Sequence, residues 1–122
     1  SDGTERRAAL RFFSQASDEK AAQTLVDFLA IAANTWDRLS LRQAYACLGS
    51  MRSHHGHAFL EKLLTARGLM GGLKNSTEEQ ILAVRGLVSA NDEFARRLLD
   101  KVMSDKAFSG KVRLALTRMR GK

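Results

Sequence analysis

Apolar residues return along this chain at a fixed interval. Leu25, Phe28 and Leu29 are followed by Leu60, Leu63 and Leu64, and these by Ala95, Leu98 and Leu99, each set 35 residues after the last. Within every set the spacing is that of one face of an α-helix. A second series precedes the first: Ala9, Leu10 and Phe13; Ala44, Tyr45 and Leu48; Ala83, Val84 and Leu87; Ala115, Leu116 and Met119. Its members advance by 35, 39 and 32 residues, so this series drifts while the other keeps register. Insertions that collect in loops produce that behaviour. A long self-similar period is the mark of helix pairs stacked as repeats, each hairpin burying its apolar flank on the next.

Local signals place the helices. The first is expected over about residues 5–14, and Ser17-Asp18 offers an N-cap for a second that ends near Ala33. Asn34-Thr35-Trp36-Asp37 connects to a helix opened by a Ser40/Gln43 capping box and closed by Gly49 as a C-cap. Ser50 to Gly56 reads as a loop, and a helix follows from about His57 to Ala66. The connection from Arg67 to Ser76 holds three glycines, which argue against a helix through it. Ser76 and Glu79 form another capping box, Asn91 caps the next helix, and a last helix follows Gly110. The expectation is one domain over residues 1–122, with helix pairs at about 5–33, 38–66 and 77–103 and a final helix at 110–119. Proline is absent, which suits helices joined by short turns, and no period-two run of β-branched residues suggests a strand.

Composition narrows the function classes. No apolar run approaches the roughly 20 residues that span a bilayer, and Ser1-Asp2-Gly3-Thr4 lacks the basic and apolar regions of a signal peptide, so a cytoplasmic setting is expected. The single cysteine, Cys47, excludes an internal disulfide and reads as a small buried hydrophobe. Net charge is +7, and all of the excess lies in residues 62–122, with thirteen Lys/Arg against six Asp/Glu. That asymmetry calls for an acidic partner. No nucleophile elbow, phosphate-cradling glycine loop or His-Glu-x-x-His occurs, which weighs against an enzyme.

Leu41-Arg42, Ala44, Ala46 and Leu48-Gly49 resemble the first helix of the HEAT-repeat family in its short bacterial form. Val112-Arg113, Ala115 and Met119 match in part, and Arg7, Ala8, Ala9, Leu10 and Phe13 also fit. Ile81 stands where the third repeat would carry arginine, and Ser17-Asp18 and Asn91-Asp92 stand where aspartate-proline turns are common. The resemblance implies a right-handed α-solenoid whose second helices line a concave face. Such folds mostly bind proteins, and a minority bind nucleic acid, among them HEAT-like alkyl-DNA glycosylases.

Candidate site residues follow from charge and exposure. Arg96, Arg97 and Lys101 leave the apolar stripe of their helix untouched; they are either an ordinary solvated helix face or, with Lys62, a basic ligand-binding strip on the implied concave side. Trp36 sits in a connection, where it either staples two helices or anchors a partner. Leu69, Met70 and Leu73 are apolar in a loop and are expected to pack over the edge of the second pair. Ser53-His54-His55-Gly56-His57 reads as a polar surface loop rather than a metal site, since three ligands in one loop lack a fixed tetrahedral set. The expectation is a non-catalytic protein-interaction scaffold, part of a larger protein, with no cofactor and no metal. Its partner would be an acidic protein surface, with nucleic-acid phosphates as the alternative, and uncapped repeat ends would allow a homodimer.

Overall fold

Six helices account for the regular structure in the computed structural model, which describes residues 19–32 and 35–121. They are α1 (Glu19–Ala32), α2 (Arg38–Ser50), α3 (His54–Thr65), α4 (Thr77–Ala90), α5 (Glu93–Ser104) and α6 (Gly110–Arg120). Among the described residues there is no strand, and the chain is all-α. The expected helix over residues 5–14 and the Ser17-Asp18 cap lie outside the described residues. No described helix is long and apolar enough to cross a membrane.

Helices α2 to α6 each begin where a short polar side chain accepts a hydrogen bond from an amide of the first turn. Ser76 does this for α4 and completes the expected capping box with Glu79. Elsewhere the caps differ from expectation. Asp37, not Ser40, caps α2, so that helix begins three residues earlier, and Ser40 lies buried inside it. Asp92, not Asn91, caps α5. Asn91 instead closes α4 in the left-handed conformation (φ 47°), which asparagine tolerates better than most residues. Ser53 caps α3, so the histidine segment forms the first turn of a helix and not a loop. Gly49 does not end α2, which runs on to Ser50.

Alternate helices pack together. The largest contact joins α2 to α4, and α4 in turn packs on α6; α1 packs on α3, and α3 touches α5. Two layers result, α2–α4–α6 and α1–α3–α5, joined mainly through α4. The recurring apolar sets supply the core between them. Leu25, Leu29, Leu60, Leu64, Ala95, Leu98 and Leu99 are buried, as are Ala44, Tyr45, Leu48, Ala83, Val84, Leu87 and Leu116. Each large apolar side chain so buried contributes about 1.5–3 kcal/mol. Phe28 departs from the pattern and is 51% exposed. Ala9, Leu10 and Phe13 fall outside the described residues.

The α2–α4 contact is close enough to exclude side chains. A Cβ on Gly49 would overlap the Gly86 carbonyl oxygen, and one on Gly86 would lie 2.9 Å from both the Tyr45 carbonyl oxygen and Leu60 Cδ2. The Ser89 hydroxyl donates across the same seam to the Ala46 carbonyl at 2.8 Å. Backbone therefore meets backbone where these helices cross.

Between α3 and α4 the chain makes a small hairpin. Arg67 and Leu73 form an isolated antiparallel bridge, and the Gly68 amide donates to the Gly72 carbonyl at 2.8 Å. Leu73 packs on the core, but Leu69 and Met70 are fully exposed at the tip. The expectation that all three pack inward holds for Leu73 alone: a tight hairpin turns its middle residues away from the body.

Candidate functional site: an arginine-lined groove

The outer face of the α2–α4–α6 layer carries two adjoining recesses. One, of about 190 Å³, is bounded by Arg38, Leu41 and Arg42 of α2 and by Glu78, Ile81, Leu82 and Arg85 of α4. The other, of about 570 Å³, continues over Ala46, Val88 and Ser89 to Ala115, Arg118 and Met119 of α6. Arg42, Ile81 and Arg85 border both, so the two form one open groove across three helices.

Local sequence explains the groove's chemistry. Ile81, Arg85 and Val88 recur at helical spacing on α4, which puts an arginine between two apolar residues on one face. Arg42 lies two turns before Gly49, and Arg85 immediately precedes Gly86. Arg85 thus sits beside the tight crossing of α2 and α4.

Charge in the groove is unbalanced. Four arginines face one carboxylate, Glu78, which pairs with Arg38 at 3.1 Å. Arg42, Arg85 and Arg118 make no ion pair or side-chain hydrogen bond among the described residues. Arg85 is only partly exposed, and Arg42 and Arg118 are exposed. Each layer helix therefore presents one uncompensated guanidinium beside an apolar floor. Such groups are suited to carboxylates, which they meet with two parallel hydrogen bonds.

The residues expected from sequence lie elsewhere. Arg97 and Lys101 sit one turn apart on α5, both exposed, and Arg97 is held at 2.7 Å to Glu93 of its own helix. Arg96 leaves that face: its guanidinium donates to the Asn91 carbonyl at 3.3 Å, and it borders a small recess with Leu87, Val88 and Arg120. Lys62 is exposed on α3. Trp36 is partly buried against the core in the connection before α2. No shared spacing links Arg42, Arg85 and Arg118 in the sequence; only the layering brings them together.

The three histidines are split between neighbouring helices. The His54 backbone amide donates to the Glu19 carboxylate at 3.0 Å, and His55 Nε2 lies 4.0 Å from the same group on α1. His57 points the other way, with Nε2 2.9 Å from Asp92 Oδ2 and its ring stacked on Phe94 at 4.4 Å between centroids. Burial would raise the Asp92 pKa, but the Ala95 amide, His57 and Arg52 outweigh it and hold the carboxyl below its ordinary value. These contacts tie the start of α3 to α1 and α5. Among the described residues no group of three His, Cys, Asp or Glu is placed to hold a metal ion. Burial pushes the Cys47 thiol up to about 11, far from the thiolate that nucleophilic chemistry needs.

Comparison with known proteins finds no matching family model, no matching curated protein and no matching solved structure.

Proposed function

We propose that this chain is a non-catalytic protein-interaction module, a HEAT-like stack of helical hairpins that holds an acidic partner on its α2–α4–α6 layer. The observation that carries this reading is the row of Arg42, Arg85 and Arg118, one from each helix, around an apolar floor and without acidic partners of their own. Exposed guanidinium groups with no internal ion pair are free to take a partner's carboxylates without first breaking a contact. Packing of alternate helices supports the stacked arrangement, while its right-handed sense rests on the resemblance alone. The binding face favoured here is the first-helix layer rather than the second-helix strip of Lys62, Arg97 and Lys101.

The apolar floor favours protein over nucleic acid. Phosphates would satisfy the guanidinium groups, but a sugar-phosphate backbone offers nothing to cover Ile81, Val88 and Met119. Affinity capture from the native cell tests the reading. The wild-type chain should retain one partner saturably, the R42E/R85E variant should lose it, and a K62E/R97E/K101E variant should keep it. A parallel titration with mixed-sequence duplex DNA at two salt concentrations checks the alternative. Binding that falls steeply with salt, as counterion release requires, together with capture indifferent to R42E/R85E, would contradict the proposal.

A further inference from the structure

Resting on that reading of the groove, we infer that its occupant is an acidic amphipathic α-helix. Three features lead there. The first is backbone chemistry. The groove is walled by helices, whose amides and carbonyls bond internally along their length, so an extended segment laid in it would find no ladder to join. A helix satisfies its own backbone and brings only side chains. The second is the alternation of apolar and cationic groups. Ile81 and Val88 are two turns apart on α4, with Arg85 between them, and Ala46, Ala115 and Met119 extend the floor to either side. An apolar stripe bordered by carboxylates complements that surface. The third is spacing. Packed helices lie about 8–10 Å apart, and a helix rises about 1.5 Å per residue, so one crossing the layer passes from one arginine to the next in about six or seven residues. Carboxylates repeating every second turn on one border of the stripe would then face Arg42, Arg85 and Arg118 in succession.

A second copy of this chain is a poorer occupant. Glu78 and Glu79 fall in the first turn of α4, where they complement the helix dipole, and Glu93 and Asp100, two turns apart on α5, are already paired with Arg97 and Arg120. The groove thus selects for a helix that carries a row of free carboxylates, which the described helices of this chain do not offer.

The test uses three fluorescent probes of about 18 residues, enough for five turns. One is an amphipathic helix with a leucine stripe bordered by glutamates. The second has the same composition with its periodicity scrambled, and the third is polyglutamate. Anisotropy titrations are made against the full chain, the R42E/R85E variant and the K62E/R97E/K101E variant, with circular dichroism to verify that both variants keep their helices. The inference expects saturable binding of the helical probe, with the scrambled probe and polyglutamate each about tenfold weaker. It expects R42E/R85E to weaken binding by about tenfold or more and the other variant by about twofold at most. Equal binding of the helical and scrambled probes, both lost with R42E/R85E, would overturn the helix and leave the acidic-partner reading standing. Binding of duplex DNA that R42E/R85E abolishes, with no peptide bound, would overturn both. No binding of the helical probe, with DNA also unbound, would overturn the helix alone, because the capture experiment tests the broader reading separately.

Discussion

Gly49 shows what a single hydrogen atom can hold together. Alanine usually gains about 0.5–1 kcal/mol over glycine inside a helix. At position 49 the added methyl would collide with the Gly86 carbonyl, which is backbone and cannot swing aside. Gly49→Ala should therefore lower stability by about 3 kcal/mol, measured by urea unfolding, as α2 and α4 are forced apart. Gly110→Ala is the control: a Cβ there meets open space at the start of α6, so stability should hold or rise slightly. Exposure gives the opposite case. Leu69 and Met70 touch little, and L69S/M70S should leave stability within about 0.5 kcal/mol of wild type. Buried groups respond to pH instead. Burial pushes the Tyr45 hydroxyl up to about 12, aided by the nearby Glu79 charge. A raised pKa means the fold prefers the neutral phenol, so this stabilisation is present below about pH 10 and is lost as pH rises toward 12. A Tyr45→Phe variant should unfold less readily than wild type over that window.

At the scale of the element, caps decide where helices start. Asp92 caps α5 through Ala95 and meets His57 of α3 with its other oxygen. Asp92→Ala should cost about 1 kcal/mol or more at neutral pH. Its carboxyl is held below the ordinary value, so the wild type keeps this contribution above about pH 4 and loses it as the carboxyl protonates in more acid solution. The gap in stability between wild type and D92A should narrow as the pH falls through that range, which thermal unfolding at stepped pH would show. Caps also mark how far sequence reads structure. The Ser76/Glu79 box was legible because both of its hydrogen bonds are local. Asp37 and Ser40 are both good caps, and tertiary packing chose between them by burying Ser40. Gly56 made the histidine segment look like a loop. It is helical because Ser53 caps it, and it is glycine because a Cβ would press on Leu48 at 3.2 Å and on the Ser53 hydroxyl at 3.0 Å. Gly49 looks like a helix stop in sequence because its partner, Gly86, lies 37 residues on. A glycine in the middle of α4 was the available clue that some backbone came close.

For the whole molecule, the 35-residue recurrence was the strongest signal and it located the core well. It could not reveal the groove. Arg42, Arg85 and Arg118 are separated by 43 and 33 residues, and they become neighbours only when alternate helices form a layer. The charge asymmetry between halves of the chain does not locate it either, because Arg42 lies in the neutral half and faces the basic one. The layer has an electrostatic cost in the unbound chain. Like charges flank one apolar floor, so moderate salt should raise the melting temperature by screening them, and R42Q/R85Q should lessen that dependence. A melting temperature that falls with salt in the wild type would mean the arginines are compensated.

The central claim is that binding occurs on the α2–α4–α6 layer. Amide chemical shifts of the isotope-labelled chain, followed while the acidic amphipathic probe is added, test it directly. The account predicts that shifts concentrate at Arg42, Ile81, Arg85, Val88 and Arg118. Shifts gathered instead around Lys62, Arg97 and Lys101 would contradict it.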